Sequence, residues 1–358
     1  MKVCYFGPYD LHHPRSRIII KGLRESNVDV IECNSSSSNR LLDYIKLLKK
    51  HQTLKYDVVI LGARGDYYGQ PLVPVVKKIT RNPLVFDAVL TLYETSIIDR
   101  KLVDERCVRS QLLYILDYYA LHNADLVLSD TAAHMNYYSD TYRVNLGKFR
   151  RIFISADDDF FYPRQHKKED GCFFVMFWGG FIPLQGVEYI IRAAKLLESH
   201  RDIRFELRGF GQTYNEALEL SKSLNVKNIT FVPNWVPYEE FPNYIAKADV
   251  CLGVFGETEK ARRVIPTKAV EALAMQKPLI TGDSSAAREI LVNMKNSLLV
   301  PMANPEALAD AILTLKEDQK LREKIAENGY RLFKKKLCPK AIGKELKSVL
   351  VELTEKFR

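Results

Sequence analysis

Short apolar runs of strand length alternate with longer helical patterns from the first residues of this chain, and the alternation starts afresh at Cys172. Lys2 to Gly7 reads as a buried strand, a helical pattern follows from about Ser16 to Ser26, and Val28-Asp29-Val30-Ile31-Glu32 reads as a second strand. Further strands are predicted at Asp57–Gly62, Pro83–Phe86, Asp125–Ser129 and Arg151–Ile154. Helices fall between them at about Leu41–Lys50, Val73–Arg81, Cys107–His122 and Ala132–Tyr142. Strands that alternate with helices build a parallel sheet covered on both faces.

The second round opens with Cys172-Phe173-Phe174-Val175-Met176-Phe177-Trp178. Strands are predicted at Ile203–Leu207, Ile229–Val232, Asp249–Val254, Pro278–Thr281 and Ser297–Val300. The helices are Val187–His200, Tyr214–Leu224, Tyr238–Ala246, Thr267–Met275 and a short one near Ala286–Leu291. Between the rounds, Ala156 to Gly171 is charged and carries Pro163 and Gly171, the composition of an interdomain linker. The domains are therefore expected at residues 1–160 and 172–338, with a linker over 161–171. Helices Pro305–Leu315 and Gln319–Leu332 follow, and a last basic helix, Lys340–Phe357, makes residues 339–358 an element returning towards the first domain. The fold class is α/β, two Rossmann-like doubly wound parallel-sheet domains expected to face a central cleft. Such sheets bind ligands beyond the carboxyl ends of their strands, so two of them would hold two substrates for a group transfer.

Composition narrows the class. The 358 residues are 47% hydrophobic and 27% charged, which excludes general disorder and leaves a large core to bury. No uncharged run reaches the ~18 apolar residues of a membrane span. The start turns polar by Tyr9-Asp10, too soon for a signal peptide, so a cytoplasmic protein is expected. The six cysteines, Cys4, Cys33, Cys107, Cys172, Cys251 and Cys338, form no C-x-x-C pair and read as reduced core residues. The net charge of +9 is spread: residues 1–165 have 23 Lys+Arg against 19 Asp+Glu, and residues 166–358 have 30 against 25. A distributed excess argues against nucleic acid and for a phosphate-bearing small ligand or an anionic membrane surface.

The most informative stretch is Lys260-Ala261-Arg262-Arg263-Val264-Ile265-Pro266-Thr267-Lys268-Ala269-Val270-Glu271, a basic loop leading into a helix with one acid in it. Free N–H groups at a helix start bind anions such as a pyrophosphate, and Glu271 is placed to accept hydrogen bonds from a sugar diol. Its bland reading is a solvated basic loop.

This stretch resembles the donor domain of the family-4 retaining glycosyltransferases of the GT-B fold, with their E-x7-E pattern followed by a small-residue helix. The second glutamate falls on Glu271, Ile265-Pro266-Thr267-Lys268 looks like the I-P-x-K form of one branch, and Arg263 stands where the first glutamate belongs. Trp178-Gly179-Gly180-Phe181-Ile182-Pro183-Leu184-Gln185-Gly186 is similar to the family's G-R-x-x-P-x-K-G, with Gly180 and Gln185 replacing the two cations that commonly clamp pyrophosphate. That charge must then come from elsewhere, and the cations available are Lys260, Arg263, Lys268 and Arg208, with Arg262 read as a solvated surface charge. Arg208-Gly209-Phe210-Gly211 sits where the family has a glycine loop, though G-x-G alone fits an ordinary tight turn equally well. Trp235 and Val236 occupy the position of the nucleobase-contacting segment, where Trp235 could equally be a packing residue.

On the acceptor side the resemblance points to Gly7, Tyr9 and Asp10 after the first strand. The helix that follows carries Arg15, Arg17, Lys21 and Arg24, a basic face for an acidic acceptor or lipid headgroups, or else an ordinary amphipathic helix lying on the sheet. Asp87, Asp99 and Asp130 lie at predicted strand ends or loops, where an acid orients an acceptor hydroxyl or simply caps a helix. Asp157-Asp158-Asp159 is read as a hinge and not as a metal site, and His12-His13 lacks ligand spacing.

The function expected from all this is transfer of a hexose-type sugar from a nucleotide diphosphate sugar, base unspecified, to an acceptor hydroxyl, with retention, in cell-surface glycan or glycolipid synthesis. Asp87, Lys268 and Glu271 are the expected catalytic residues, with no cofactor and no metal. The expected partners are the donor, a glycan or lipid-linked acceptor and an anionic inner membrane face, where the protein would be peripheral. The rivals are a non-catalytic nucleotide-sugar or carbohydrate-binding protein, a nucleotide-sugar epimerase or phosphorylase of the same fold, and, less favoured because neither first strand leads into G-x-G-x-x-G, a nicotinamide dehydrogenase.

Overall fold

A computed structural model describes residues 1–9, 14–35, 40–62, 69–166, 171–234 and 236–357, with Arg40 and Leu41 described by their backbone alone. The chain divides into two compact units, Met1–Ser155 with Pro339–Arg358, and Ala156–Cys338.

The first unit runs β1 (Lys2–Gly7), α1 (Pro14–Glu25), β2 (Asp29–Asn34), α2 (Arg40–His51), β3 (Val58–Leu61), α3 (Leu72–Ile79) and β4 (Leu84–Asp87). A π-helical turn, Glu94–Asp99, precedes α4 (Val108–Asn123), β5 (Leu126–Ser129), α5 (Ala132–Tyr142) and β6 (Phe149–Arg151). The strands form one parallel sheet in the order β2-β1-β3-β4-β5-β6. β3, β4 and β5 are buried along their whole length, because helices cover both faces. One side of the sheet packs Phe6, Leu61, Phe86 and Val127 against Tyr138, Tyr142 and Phe149.

The second unit runs β7 (Phe173–Trp178), α6 (Val187–Leu196), β8 (Ile203–Arg208), α7 (Tyr214–Ser223), β9 (Ile229–Val232), α8 (Phe241–Ile245) and β10 (Val250–Leu252). It continues with α9 (Thr267–Ala274), β11 (Leu279–Gly282), β12 (Leu298–Val300), α10 (Pro305–Glu317) and α11 (Gln319–Leu332). Its parallel sheet has the order β12-β11-β10-β7-β8-β9, so the first strand of the unit lies in the middle and the direction of winding reverses beside it.

The last helix, α12 (Pro339–Phe357), packs on α1 of the first unit. Two glycines let the helices meet backbone to backbone: a Cβ on Gly22 would lie 2.2 Å from the Pro339 carbonyl oxygen, and one on Gly343 1.8 Å from that of Gly22. Leu346 and Leu350, both fully buried, continue the same seam.

Several stretches differ from the expectation, among them the short helix near Ala286–Leu291, which is a 3-10 turn over Ala287–Glu289. The strand expected at Arg151–Ile154 is Phe149–Arg151, because the carbonyls of Ile152 and Phe153 accept from the Arg15 guanidinium at 2.9 Å each and not from a neighbouring strand. The helix expected over Tyr238–Ala246 is a 3-10 turn, Tyr238–Glu240, followed by α8, whose Pro242 sits in the first turn where its missing N–H is harmless. Residues 94–99, where the sequence pattern gives neither strand nor helix, form the π-helical turn. Among the described residues no helix is long and apolar enough to cross a membrane. All six cysteines are free thiols, and Cys107 and Cys172 are half-buried rather than core.

Candidate functional site

The reversal of winding in the second sheet lies between β7 and β10, the place where open parallel sheets have a ligand crevice outside the carboxyl ends of their strands. Backbone bonds knit the loops there together. Gly179 N–H donates to Arg208 O and Phe181 N–H to Phe210 O, both at 3.0 Å, while Phe255 N–H donates to Gln185 O at 3.1 Å. Gly209 adopts φ +131° and passes so close that a Cβ there would stand 2.1 Å from Gly179 O. No other residue fits that turn, which gives the G-x-G segment a packing reason independent of any ligand.

Helix α9 starts beside this crevice. Its N-cap, Pro266, offers no side-chain acceptor to the first-turn N–H groups, which suits that end to an anion. Two ionisable side chains of α9 are buried, Lys268 at 5% and Glu271 at 6% exposure. The Lys268 ammonium donates to Gln185 Oε1 at 2.6 Å and lies 3.6 Å from the centre of the Phe177 ring. It occupies the space a Cβ on Gly179 would need, 3.1 Å away. Burial pushes the Lys268 pKa well below the usual lysine value, against the pull of Glu271. Glu271 Oε2 accepts from the indole N–H of Trp178 at 2.7 Å. Burial raises the Glu271 pKa to about 7, although Trp178, Lys268 and Tyr238 all favour the charged form. The fold thus holds an acid and a base out of water on one helix, each with a polar partner from the β7 side.

The other donor-side candidates spread around this pair. Lys260 and Ile265 are buried, and Arg263 is mostly so, with its guanidinium 3.8 Å from Glu259. Thr267 opens α9, and Gly186 immediately precedes α6. Gly180 is half-buried in the loop after β7. Arg208 pairs with Glu206 at 2.8 Å and stacks on the Tyr244 ring at 3.8 Å, so it is already engaged. Val236 is half-buried, while Trp235 lies outside the described residues.

In the first unit, Gly7 ends β1, and Tyr9 is buried with its hydroxyl 3.3 Å from Glu32 Oε2. Asp10 and the pair His12-His13 lie outside the described residues. The expected basic face of α1 is not formed as expected. Arg15 is buried and donates to both oxygens of Asp87, from Nε at 3.0 Å and from Nη2 at 2.8 Å, while Arg24 pairs with Glu32 at 2.7 Å. An Asp87 so occupied is a structural counter-ion before it is anything else. Asp99 is buried at the end of the π-helical turn. Asp130 Oδ1, just after β5, accepts from His134 Nδ1 at 2.7 Å, and Glu94 Oε2 stands 3.4 Å from the other ring nitrogen. The Asp157, Asp158 and Asp159 carboxylates come within 4.8 Å of one another at the start of the second unit, where Asp157 O accepts from the N–H groups of Phe160 and Phe161.

Sequence reasoning passed over two participants. Trp178 was legible only as the residue before a glycine pair, and nothing local marks its bond to a carboxylate 93 residues away. His134 had a signal, its i, i+4 spacing from Asp130 across the Thr131 N-cap, but its second partner Glu94 comes from a distant turn.

Residues 158–332 match the family model described as glycosyl transferases group 1. The alpha-D-kanosaminyltransferase of Streptomyces kanamyceticus is 26% identical over 180 residues, 50% of this chain and 45% of that protein. An uncharacterized glycosyltransferase of Methanocaldococcus jannaschii is 30% identical over 162 residues, 45% of this chain and 43% of that protein. The chain thus spans about half the length of the curated relatives it matches. Over whole chains, the structure of Anabaena HepE in complex with UDP-glucose superposes with a TM-score of 0.72 at 15% identity, covering 98% of this chain and 100% of that one. Sucrose-phosphate synthase from Thermosynechococcus elongatus does so with a TM-score of 0.74, also at 15% identity, covering 99% and 100%. These likenesses show the fold, GT-B with two Rossmann-like domains. It is through residues 158–332, nearly the whole of the second unit, that the chain matches the glycosyl transferases group 1 family.

Proposed function

We propose that the protein is a glycosyltransferase that takes a hexose-type sugar from a nucleotide diphosphate sugar and places it on an acceptor hydroxyl with retention, in glycan or glycolipid synthesis. The observation that carries the reading is the buried pair Lys268 and Glu271 beside the switch point of the second sheet. A fold gains no stability from hiding an acid and an amine from water, so such groups mark a site that serves a ligand. Glu271 presents a carboxylate suited to a ribose diol. The start of α9 and Lys268 offer N–H donors to the diphosphate, whose charge would also favour the protonated amine. Departure of a dianionic leaving group from an oxocarbenium-like carbon is helped most by such fixed donors, because they need no reorganisation as charge develops. Excluding water keeps the donor from hydrolysis.

The family match and the relatives named for glycosyl transfer support the chemistry. HepE in complex with UDP-glucose makes a uridine diphosphate sugar the first donor to test. One observation favours a nucleotide-sugar-binding protein instead: Arg263, where the family pattern has an acid, points its guanidinium towards Glu259. Association with an anionic membrane surface is also proposed, through Lys340, Lys344 and Lys347, which line a groove of about 570 Å³ with Ser26 and Asn27.

A thermal-shift screen against UDP, GDP, ADP and their sugar conjugates tests the donor. A ligand at 100 times its dissociation constant adds ~2.7 kcal/mol to stability. Absence of any shift at millimolar concentration would sink the donor-site reading. Binding without hydrolysis or transfer would favour the binding protein.

A further inference from the structure

Glu271 and Trp178 come from the two elements that border the crevice of the second unit. Trp178 is the last residue of the central strand β7, and Glu271 lies one turn inside α9. Trp178 is 3% exposed, and its indole has a single polar atom, which donates to Oε2 of Glu271. A phenylalanine would fill the same apolar space without drawing a carboxylate into it. An indole N–H in a dry site needs an acceptor, and a carboxylate in a dry site needs a donor, so each selects the other.

Resting on the donor-site reading above, we propose that Trp178 is a positioning residue that acts through Glu271, holding one carboxylate oxygen so that the other is turned to the sugar diol of the donor nucleotide. The terminal torsion of a glutamate is broad, and a single bond to one oxygen removes that freedom before the ligand arrives. The groups that face the carboxylate are Trp178 from β7, Lys268 from α9 itself and Tyr238 from the 3-10 turn. Of these, Trp178 makes a direct bond of 2.7 Å. The same bond favours the ionised carboxylate, as Lys268 and Tyr238 do, against the burial that pushes it towards the acid.

Calorimetric titration of UDP, GDP and ADP into the full chain and into Trp178→Phe, Glu271→Ala and the double variant tests this. Trp178→Phe is expected to weaken nucleoside diphosphate binding by about tenfold, the loss of one charged hydrogen bond, in the parent background. In the Glu271→Ala background it is expected to weaken binding no further, and in the parent background the pH midpoint of binding should move upwards. Equal weakening in both backgrounds would show a packing role and overturn the proposal, as would no weakening at all. A parent protein that binds none of the three nucleotides fails the donor-site reading, not the bond. The bond has its own readout, because the chain has two tryptophans. With Trp235→Phe, Trp178 is the remaining indole, and its emission should titrate near neutral pH and cease to do so with Glu271→Gln. Emission that stays flat with pH overturns the proposal even if Trp178→Phe fails to fold.

Discussion

The guanidinium of Arg15 grips the carboxylate of Asp87 from 72 residues away, with Nη2 at 2.8 Å and Nε at 3.0 Å. Its remaining arm, Nη1, donates to the carbonyls of Ile152 and Phe153. One side chain therefore fastens α1, the end of β4 and the segment after β6 around the carboxyl edge of the first sheet. Both partners are nearly inaccessible, so removing one leaves a buried charge without its counter-ion.

Asp87→Ala is accordingly expected to lower the unfolding free energy by about 3–5 kcal/mol. Denaturant unfolding measures it. A loss under about 1 kcal/mol would show the pair to be replaceable and return Asp87 to the pool of acids available for the acceptor.

Glu271 should cost stability where it is ionised. An acid whose folded-state pKa is raised to about 7 binds its proton more tightly in the fold than in the unfolded chain. Stability is therefore fullest below the ordinary carboxylate value and falls as pH rises from there to about 7. Glu271→Gln should raise the unfolding free energy at pH 8 by on the order of 3 kcal/mol and change it little at pH 4, while weakening nucleotide binding by about 1.5–3 kcal/mol. A variant that is less stable than the parent at pH 8 would contradict the direction of the shift.

His134 should do the reverse. Burial alone would lower its pKa, but Asp130 and Glu94 outweigh burial and hold it up at about 9. A base with a raised folded-state pKa lends stability that is complete below its ordinary value of 6.5 and lost as pH climbs through 9. Urea titrations at pH 6, 8 and 9.5 should show the parent losing stability over that interval and His134→Gln losing much less. Parallel curves for the two proteins would show that the ring is neutral in the fold.

Flotation with vesicles of anionic phospholipid tests the surface of the first unit. The protein should rise with the vesicles at low salt and release as salt increases, each basic residue near the surface contributing ~1 kcal/mol. Replacing Lys340 and Lys344 by Glu should keep it at the bottom of the gradient. Unimpaired flotation of that variant would take the contact away from α12.

The order of strands and helices was legible in the sequence, because helical and strand periodicities are local and each element has to bury its own apolar face. Lys2–Gly7, Ile229–Val232, Ala132–Tyr142 and Gln319–Leu332 stand where the pattern puts them. The donor-side candidates could be listed from a motif, since a loop, a helix start and an acid at fixed spacing are consecutive in the chain. What those residues touch was decided by the tertiary structure. Arg15 reads locally as one more cation on an amphipathic helix, and only the return of β4 and the segment after β6 turns it into a buried clasp. Lys268 and Glu271 read as a base and an acid for the donor, and only β7 beside α9 closes them off from water and gives them Gln185 and Trp178. A hydrogen bond or a desolvated charge depends on groups far apart in sequence being brought within about 3 Å, and no local pattern carries that information.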